Sequence, residues 1–472
     1  MTSLTSALSI ALSGLRTSTS LLSMTSNNIS NANTAGYTDK QAVVTSVDYG
    51  YNFGGSNLTN YTRSTNEALS NNYNAATTSS GYYSTLNTYL SQVQAMLDST
   101  AQPPQLQGDI AQFASAWSQY SSSTDNVTAM ESVISAGQTL SADINTVSSS
   151  VTKMQAQLTT DITTDVTDLN NDLQQVATLN DNIRNATTLG QPTVDMQDQR
   201  DTLVNKIASL TNVTVQQRPN NEIALYTSSG QLLVDAGQQQ TFSYNGTTVV
   251  DSTGADVSTG LTGGSIQARL QFAASDATST ASTTPGVGTL SKMSNQISAL
   301  VSALTSTTGV FGTAYNNAVT TSTTGTAATQ SAGNVASTFF SSTGGTLAVN
   351  TSLVNGTQVL PQSGTIAVAD SFNTVANYSN SAIGLTAPSV TYSGLVTSIL
   401  SGFQENANTI SGENTTASNQ QTYYNTALTS ATGVNMDSEL ANLVVYQNSY
   451  AACAHIITTV NQMLQSLMST IG

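Results

Sequence analysis

The residues of this chain that could do chemistry are few and scattered. It contains one cysteine, Cys453, and one histidine, His455, both within an apolar helical repeat. A nucleophilic triad needs a histidine base, and a zinc site needs several Cys or His ligands, so His455 supports neither arrangement. A phosphate-binding loop would need a Gly-Lys-Ser or Gly-Lys-Thr sequence, and the chain has none. The sequence therefore predicts no enzyme, no cofactor and no metal site.

Acidic residues recur at helical spacing in two places. The first group would line one flank of a long helix and comprises Asp161, Asp165, Asp168 and Asp172. Ca²⁺ sites normally wrap a loop with a glycine turn, so a solvated helix face is favoured over a cation site. The second group, Asp195, Asp198 and Asp201, falls toward the start of a short predicted helix. The helix dipole favours negative charge there.

The composition excludes several classes of partner. Among 472 residues there are 26 acids and 10 bases, for a net charge of −16, and no base follows Lys292. Binding to nucleic acid or to anionic lipid needs Lys and Arg, so we expect neither. No apolar run approaches the ~20 residues that span a bilayer. The first base is Arg16, which argues against a standard signal peptide. These features predict a cytoplasmic protein, or one exported without a cleaved signal.

Both ends of the chain carry an apolar heptad repeat, which we call the N-terminal and C-terminal seams. The N-terminal seam comprises Met1, Leu4, Leu8, Ala11, Leu15, Leu22 and Ile29. The C-terminal seam comprises Leu443, Tyr446, Tyr450, Cys453, Ile457, Val460, Leu464, Leu467 and Ile471. A sustained heptad repeat predicts packing against another helix. The seams are therefore expected to pair with each other or with neighbouring subunits, which favours assembly over catalysis.

The pattern between the seams predicts an α+β protein, mainly α, with long coiled-coil-like helices from both chain halves and an inserted small β domain. Apolar heptads from Leu140 to Ile183 predict about fifty helical residues, a rod of roughly 75 Å. An apolar stripe at helical spacing predicts a shorter helix before it, with Leu106, Ile110, Phe113, Trp117 and Tyr120. The predicted segments are an N-terminal helix and connector (1–60), the first half of a long-helix domain (61–210), the β domain (211–275), the second helical half (276–434) and the C-terminal helix (435–472). Residues 305–342 are of low complexity and are expected to form a loop. The Gly-, Asn- and Tyr-rich stretch 49–61 is expected to form an extended or irregular connection.

Motifs at both ends carry a resemblance to a known family. After the sequence Ala-Leu-Ser-Gly-Leu at 11–15, the stretch 27–37 contains Asn31, Asn33, Thr34, Gly36 and Tyr37. It resembles the N-terminal signature of bacterial flagellar axial proteins, the rod, hook and hook-associated proteins. The stretch 433–454, with Asn435 and Gln447, resembles their C-terminal signature. Ala35 stands where that family commonly has proline.

An interior motif narrows the resemblance. Asp198, Gln199, Arg200 and Asp201 follow the long helix and precede the β region, an arrangement similar to the hook-associated protein 1 family. The stretches 339–340 and 346–350 also fit that family. The resemblance implies a structural protein that is exported through the flagellar type III apparatus and forms a ring between hook and filament. It implies as partners further copies of the chain, hook protein, a second hook-filament junction protein, and an export chaperone at the C-terminal helix. The seam residues would form the assembly interface.

Two alternatives remain at this stage. The chain could be another flagellar axial protein, such as hook protein or hook-filament junction protein 3. It could instead be a surface adhesin or enzyme whose β domain binds carbohydrate. The β segment contains no His, no Cys and no clustered acids, which weakens the second alternative.

Overall fold

The structure, a computed structural model, describes residues 2–48, 53–97, 105–274, 285–324, 330–378 and 389–471. Long helices dominate it and the strands form small separate sheets, which confirms the predicted fold class. The chain divides into two compact units. Unit 1 contains residues 1–82, 165–266 and 416–472, and unit 2 contains residues 83–164 and 267–415. The five segments expected from the sequence stay a prediction, and the contacts group both terminal segments with the β region in unit 1.

The helices and strands take the following bounds. The helices are α1 (Thr2–Asn31), α2 (Glu67–Leu97), α3 (Leu106–Ser122), α4 (Val127–Thr188), α5 (Val194–Leu210), α6 (Gly264–Ala273), α7 (Thr289–Thr305), α8 (Val310–Thr323), α9 (Thr351–Val354), α10 (Thr365–Ser371), α11 (Tyr392–Thr432) and α12 (Met436–Ile471). The strands are β1 (Lys40–Asp48), β2 (Phe53–Arg63), β3 (Thr214–Gln217), β4 (Ile223–Tyr226), β5 (Leu232–Asp235), β6 (Gln238–Gln239), β7 (Phe242–Tyr244), β8 (Val249–Asp251), β9 (Phe340–Thr343) and β10 (Thr346–Val349). The predicted long rod is α4, with 62 residues.

In unit 1 the N-terminal helix is followed by a β-hairpin. Strands β1 and β2 pair antiparallel from Lys40 opposite Arg63. The extended or irregular connection predicted for 49–61 is an extended strand at residues 53–61, which belong to β2, and residues 49–52 lie outside the described residues. Glycine and asparagine disfavour strands in general, but here the ladder is supported by α1, since the Ser13 hydroxyl accepts from Ser56 N at 3.2 Å.

The β region of unit 1 forms a four-stranded antiparallel sheet in the order β3-β4-β5-β6, next to a two-stranded β7-β8 sheet. Its buried face includes Ile223, Leu225 and Val234. Asn180 of α4 donates to the carbonyls of Ile223 (2.8 Å) and Ala236 (3.0 Å). This amide links the sheet to the long helix, because it donates to backbone carbonyl groups that are not paired within the sheet.

Unit 2 is organised around buried aromatic side chains. The predicted stripe of α3 is buried and supplies Phe113, Trp117 and Tyr120. The ring of Phe113 lies 5.1 Å from that of Phe339 and 5.9 Å from that of Phe311. Such ring contacts add to the stability gained by burial alone.

The loop predicted for 305–342 was wrong in part, because α8 lies within it. One side of α8 is buried and carries Phe311, Tyr315 and Ala318. The Tyr315 hydroxyl donates to the Ala336 carbonyl at 3.0 Å. A few bulky apolar residues at helical spacing thus outweigh the Thr- and Gly-rich composition that predicted a loop.

One stretch, residues 289–323, is long and apolar enough to cross a membrane by length and composition, with a mean hydropathy of 1.3. In the structure it is two helices, α7 and α8, separated at 306–309. Leu290, Met293 and Leu300 of α7 are buried, as is Phe311 of α8. One face of each helix is therefore packed within the folded unit.

Candidate assembly site

The two seams are brought together in unit 1, where α1 lies against α12 and against the hairpin. Ala11 and Val460 are buried. Most other seam side chains are half-buried: Leu4, Leu8, Leu15, Leu22, Ile29, Leu443, Tyr446, Cys453, Ile457 and Leu464. Tyr450 and Leu467 are exposed, at 41% and 38%. Met1 and the side chain of Ile471 lie outside the described residues.

Small residues allow the two terminal helices to approach closely. A Cβ atom added at Gly14 would lie 2.8 Å from Cys453 Sγ, so any larger residue would push the helices apart. Beside this contact is an apolar cleft of ≈ 430 Å³. It is lined by α1, β2 and α12, with Ile10 and Ile456 at its walls.

An apolar stripe on α12 lies beside the seam and remains exposed in the chain. It comprises Val445 (56% exposed), Ile456 (47%), Met463 (48%) and Leu467. These residues are separated by close to whole numbers of helical turns, so they occupy one side of the helix. We call this set the flanking stripe. Exposed apolar surface of this kind marks a site of interaction.

Asn28 of α1 is the hydrogen-bonding centre of unit 1, and it is fully buried. Its side-chain oxygen, Oδ1, accepts from the Tyr37 hydroxyl at 2.9 Å and from Lys40 N at 3.2 Å. Its amide donates to the Lys40 carbonyl at 2.9 Å, to Asp39 at 3.1 Å and to Glu439 of α12 at 3.3 Å. One side chain therefore links α1, the turn before the hairpin and the C-terminal helix.

The start of α12 is fixed by Asn435. Its side-chain oxygen accepts from the backbone N–H groups of Asp437 and Ser438, each at 3.1 Å, as an N-cap does. Just before it, the Thr432 carbonyl accepts from Asp39 N at 2.8 Å. The C-terminal motif thus positions α12 against the N-terminal motif.

The Asn-rich motif after α1 forms the turn into the hairpin. Thr34 N donates to the Asn31 carbonyl at 2.8 Å, and Tyr37 N donates to the Thr34 carbonyl at 3.1 Å. Gly36 has a φ of +79°, and a Cβ there would lie 2.5 Å from Thr202 Oγ1 of α5. Both the backbone angle and the close approach require glycine at this position.

Asp198 of α5 joins the two ends of the hairpin. Its carboxylate forms an ion pair with Lys40 at the start of β1. It also accepts from Arg63 at the end of β2, at 2.8 Å, and from the Thr38 hydroxyl, at 2.8 Å. Arg63 makes a second ion pair, to Asp201 at 2.7 Å. The interior motif and the two ends of the hairpin, far apart in sequence, therefore form one charged cluster.

Burial and charge act together on the titration of this cluster. Burial lowers the pKa of Arg63, but the carboxylates of Asp201 and Asp198 outweigh it and raise that pKa above its ordinary value. The pKa of Tyr37 is raised, first by burial and then by Asp195 and Asp198. The Lys40 ammonium lies 4.7 Å from the centre of the Tyr37 ring, a cation–π contact. The cluster is a structural ion-pair network.

Arg200, on the opposite side of α5, serves the β region. It donates to the Asn221 carbonyl at 2.6 Å and to the Asn180 side chain at 3.1 Å. Burial lowers its pKa to about 10. The same short motif thus holds the hairpin through its aspartates and the β sheet through its arginine.

The remaining motif residues lie apart from these contacts, since Asn33, Gln199 and Gln447 are exposed. Asn28 and Glu439 lie within the two terminal motifs, but the sequence did not single them out as site residues, and it missed Lys40, Arg63 and Gln197. Gln197 accepts from Arg63 Nε at 3.0 Å. Lys40 and Arg63 are two of only ten bases in the chain, and that scarcity was the available signal. Within the described residues, no group of three or more side chains has the composition of a metal site.

Known proteins match the parts of the chain that build this site. A model of the rod-protein family, "Flagella basal body rod protein", matches residues 8–38, and "Flagellar basal body rod FlgEFG protein C-terminal" matches residues 427–470. The "Flagellar hook-associated protein FlgK helical domain" matches residues 90–309. The chain is thus similar to the flagellar hook-associated protein 1 family in its interior and to flagellar rod proteins at both ends.

Relatives agree with this placement. Flagellar hook-associated protein 1 of Bacillus subtilis (strain 168) is 28% identical over 247 residues, which is 50% of this chain and 48% of its own length. The protein of the same name from Salmonella typhimurium is 25% identical over 231 residues, 48% of this chain and 41% of its own length. The chain thus spans about half or less of the length of these relatives.

A solved structure, the flagellar hook junction protein FlgK from Burkholderia pseudomallei, aligns with a TM-score of 0.43 and 22% identity. The alignment covers 53% of this chain and 44% of that chain. The likeness is too distant for any argument to rest on it.

Proposed function

We propose that this chain is a structural subunit of the bacterial flagellum, at the junction between hook and filament, and that it assembles through its terminal helices. The proposal rests on the similarity to the FlgK helical domain and to flagellar hook-associated protein 1. Within the chain, the observation that carries it is the flanking stripe on α12. Its Val445, Ile456 and Met463 are each about half exposed although large and apolar.

The cost of leaving such a surface in water supports a role in association. Burying a Val, Ile or Met side chain contributes about 1.5–3 kcal/mol each relative to exposure. Several such residues repeated along one helix suffice for a stable contact with a neighbouring helix. The cleft beside Ile456, lined by Ile10 and Ala11, would receive side chains from another copy. The seam residues, half-buried between α1 and α12, form the base of this surface.

The Asn28 and Asp198 clusters have a supporting role in this proposal. They fix α1, the hairpin, α5 and α12 relative to one another, so that the flanking stripe is presented on a defined framework. The partners are further copies of the chain, hook protein and a second hook-filament junction protein. An export chaperone would bind the C-terminal helix before secretion. The protein acts outside the cell, without a cleaved signal peptide, and is not an enzyme.

The test is a charge placed on the flanking stripe. Ile456→Glu or Met463→Glu, in a strain that lacks the native copy, should leave hooks without filaments, because a carboxylate cannot be buried unpaired in an apolar contact. Gln465→Glu is the matched control, since it adds the same charge at an exposed position outside the stripe. Electron microscopy counts filaments on hooks, and circular dichroism of the purified chain checks that each variant folds.

Normal filaments on hooks in the Ile456→Glu and Met463→Glu strains would contradict the proposed interface. The location of the protein in purified hook-basal bodies tests the role itself. Hooks that lack filaments in the deletion strain favour a junction protein, whereas a loss of hooks would identify the chain as hook protein.

A further inference from the structure

Two buried carboxyl groups of unit 2 lie near Gln105, the N-cap of α3, whose carbonyl oxygen accepts from Asp109 N at 3.0 Å. Asp109 in the first turn of α3 is 8% exposed, and Asp143 of α4 is 9% exposed. Asp143 Oδ2 accepts from Gln105 N, the N-cap of α3, at 3.4 Å. Asp109 Oδ2 is buried and receives no hydrogen bond from a donor among the described residues. A buried carboxyl oxygen in that position carries a desolvation cost that its surroundings must offset.

A neighbouring base would offset that cost, and the surrounding elements do not supply one. Elements α10 and α11 and strand β10 contact α3 or this part of α4. The charged residues of these elements are all acids: Asp370, Glu405 and Glu413. On α4, Lys153 is exposed and lies nearly three helical turns beyond Asp143. The sequence just before Gln105, residues 98–104, contains one acid, Asp98, and no base.

We propose that Asp109 and Asp143 share a single proton in the folded protein, so that a carboxylic acid–carboxylate hydrogen bond joins α3 to α4. An ionised carboxylate can only accept hydrogen bonds, so two adjacent carboxyl groups bond to each other only when one of them holds a proton. Asp143 is the acceptor of this bond, because its carboxyl group already accepts from a backbone N–H at the N-terminal end of α3. Asp109 keeps the proton and donates it.

The titration of the pair agrees with this arrangement. Burial first, and then the hydrogen bond and charge of Asp143, raise the pKa of Asp109 to about 7. Because the folded pKa lies above that of the unfolded chain, the stabilisation is complete below the unfolded pKa. It is lost as the pH rises through the folded pKa, when the last proton leaves and two anions face each other.

The experiment compares the melting temperature of the full chain between about pH 5.5 and 8.5 with that of Asp109→Asn. The wild type should lose roughly 5 °C more than the variant over this range, because the asparagine amide donates to Asp143 at every pH. Glu131 is exposed and lies on α4, the helix that carries Asp143. Glu131→Gln should therefore keep the wild-type dependence of melting temperature on pH. A wild-type slope in Asp109→Asn would overturn the proposal.

A second measurement does not depend on the stability of the variant. Infrared difference spectra of the folded wild type at about pH 6, where exposed carboxyl groups are ionised, should contain a carboxylic acid C=O band that Asp109→Asn lacks. Absence of that band would contradict the shared proton. A final measurement repeats the melting experiment with millimolar calcium or magnesium. If either raises the wild-type melting temperature near pH 8.5 but not that of Asp109→Asn, the pair binds a cation and the proposal is wrong.

Discussion

Asp198 and Lys40 form a buried ion pair across 158 residues of sequence, and this pair fixes the hairpin to α5. Lys40 is 4% exposed and the Asp198 side chain is 9% exposed. Arg63 adds a second base to the same carboxylate. Charges this deeply buried are tolerated only while each has its partners, so the cluster makes the arrangement of the terminal elements specific.

Removing the charge of Asp198 should destabilise unit 1 strongly. Asp198→Asn leaves the buried Lys40 with only the exposed Asp195 carboxylate, at 3.8 Å, and we expect a loss of about 3–5 kcal/mol in the free energy of unfolding. Urea denaturation followed by circular dichroism measures it. The neighbouring Gln199→Ala is the control, since Gln199 is exposed and should change stability by no more than about 0.5 kcal/mol. Equal stability of the two variants would disprove the role of the cluster.

Gly36→Ala should disturb the turn between α1 and the hairpin. The substitution meets both an unfavourable φ of +79° and a contact of 2.5 Å with Thr202 Oγ1. We expect a cost of about 1–3 kcal/mol, read from the shift in the urea midpoint. Gly230→Ala separates the two causes, because Gly230 has a φ of +87° with no atom within 4 Å of the added Cβ. Gly36→Ala should be the more damaging; the opposite order would show that the Thr202 contact relaxes freely.

Asn28→Ala should release the start of α12 without unfolding the chain. The change leaves the Tyr37 hydroxyl and the Glu439 carboxylate without their shared partner. A buried group left without its partner costs about 1–3 kcal/mol. Hydrogen exchange of the amides in residues 436–443 should accelerate by roughly ten- to a hundredfold, while Asn27→Ala, at an exposed position, leaves it unchanged. Unchanged exchange in Asn28→Ala would show that the terminal helices are held without this side chain.

The carboxyl group of Asp39 gives unit 1 a pH dependence. Burial raises its pKa, the hydrogen bond from Gln41 lowers it, and the charge of Glu439 raises it further. The folded pKa therefore exceeds the unfolded one, and stability is lost as the pH rises through it. Compared with wild type, Asp39→Asn should gain melting temperature progressively as the pH rises from acid toward neutrality. Asp437→Asn, an exposed carboxyl on α12, should track the wild type. A constant offset for Asp39→Asn at all pH values would argue against this effect.

The spacing of apolar residues was sufficient to predict most helices, but it did not predict the structure of the segments between them. The stripe of Phe113, Trp117 and Tyr120 predicted α3, because the spacing of buried side chains along a helix is a local property. The hairpin at 40–63 was missed, since its strands are polar and Gly-containing and gain support from α1. Helix α8 was missed because Phe311 and Tyr315 are too few to stand out in a Thr-rich segment. In both places the stabilising partner lies elsewhere in the chain.

The sequence by itself determined the terminal helices, their apolar seams and the motifs at Asn31–Tyr37 and Asp198–Asp201. Each of these depends only on residues close together in the sequence, which form a helical repeat or a local turn. Only the tertiary structure decided that Asp198 takes Lys40 and Arg63 as partners, that Asn28 reaches Glu439, and that one stripe of α12 remains exposed. These contacts join residues up to 411 positions apart. They depend on the summed geometry of every helix and turn between them, and that geometry is not contained in any local pattern.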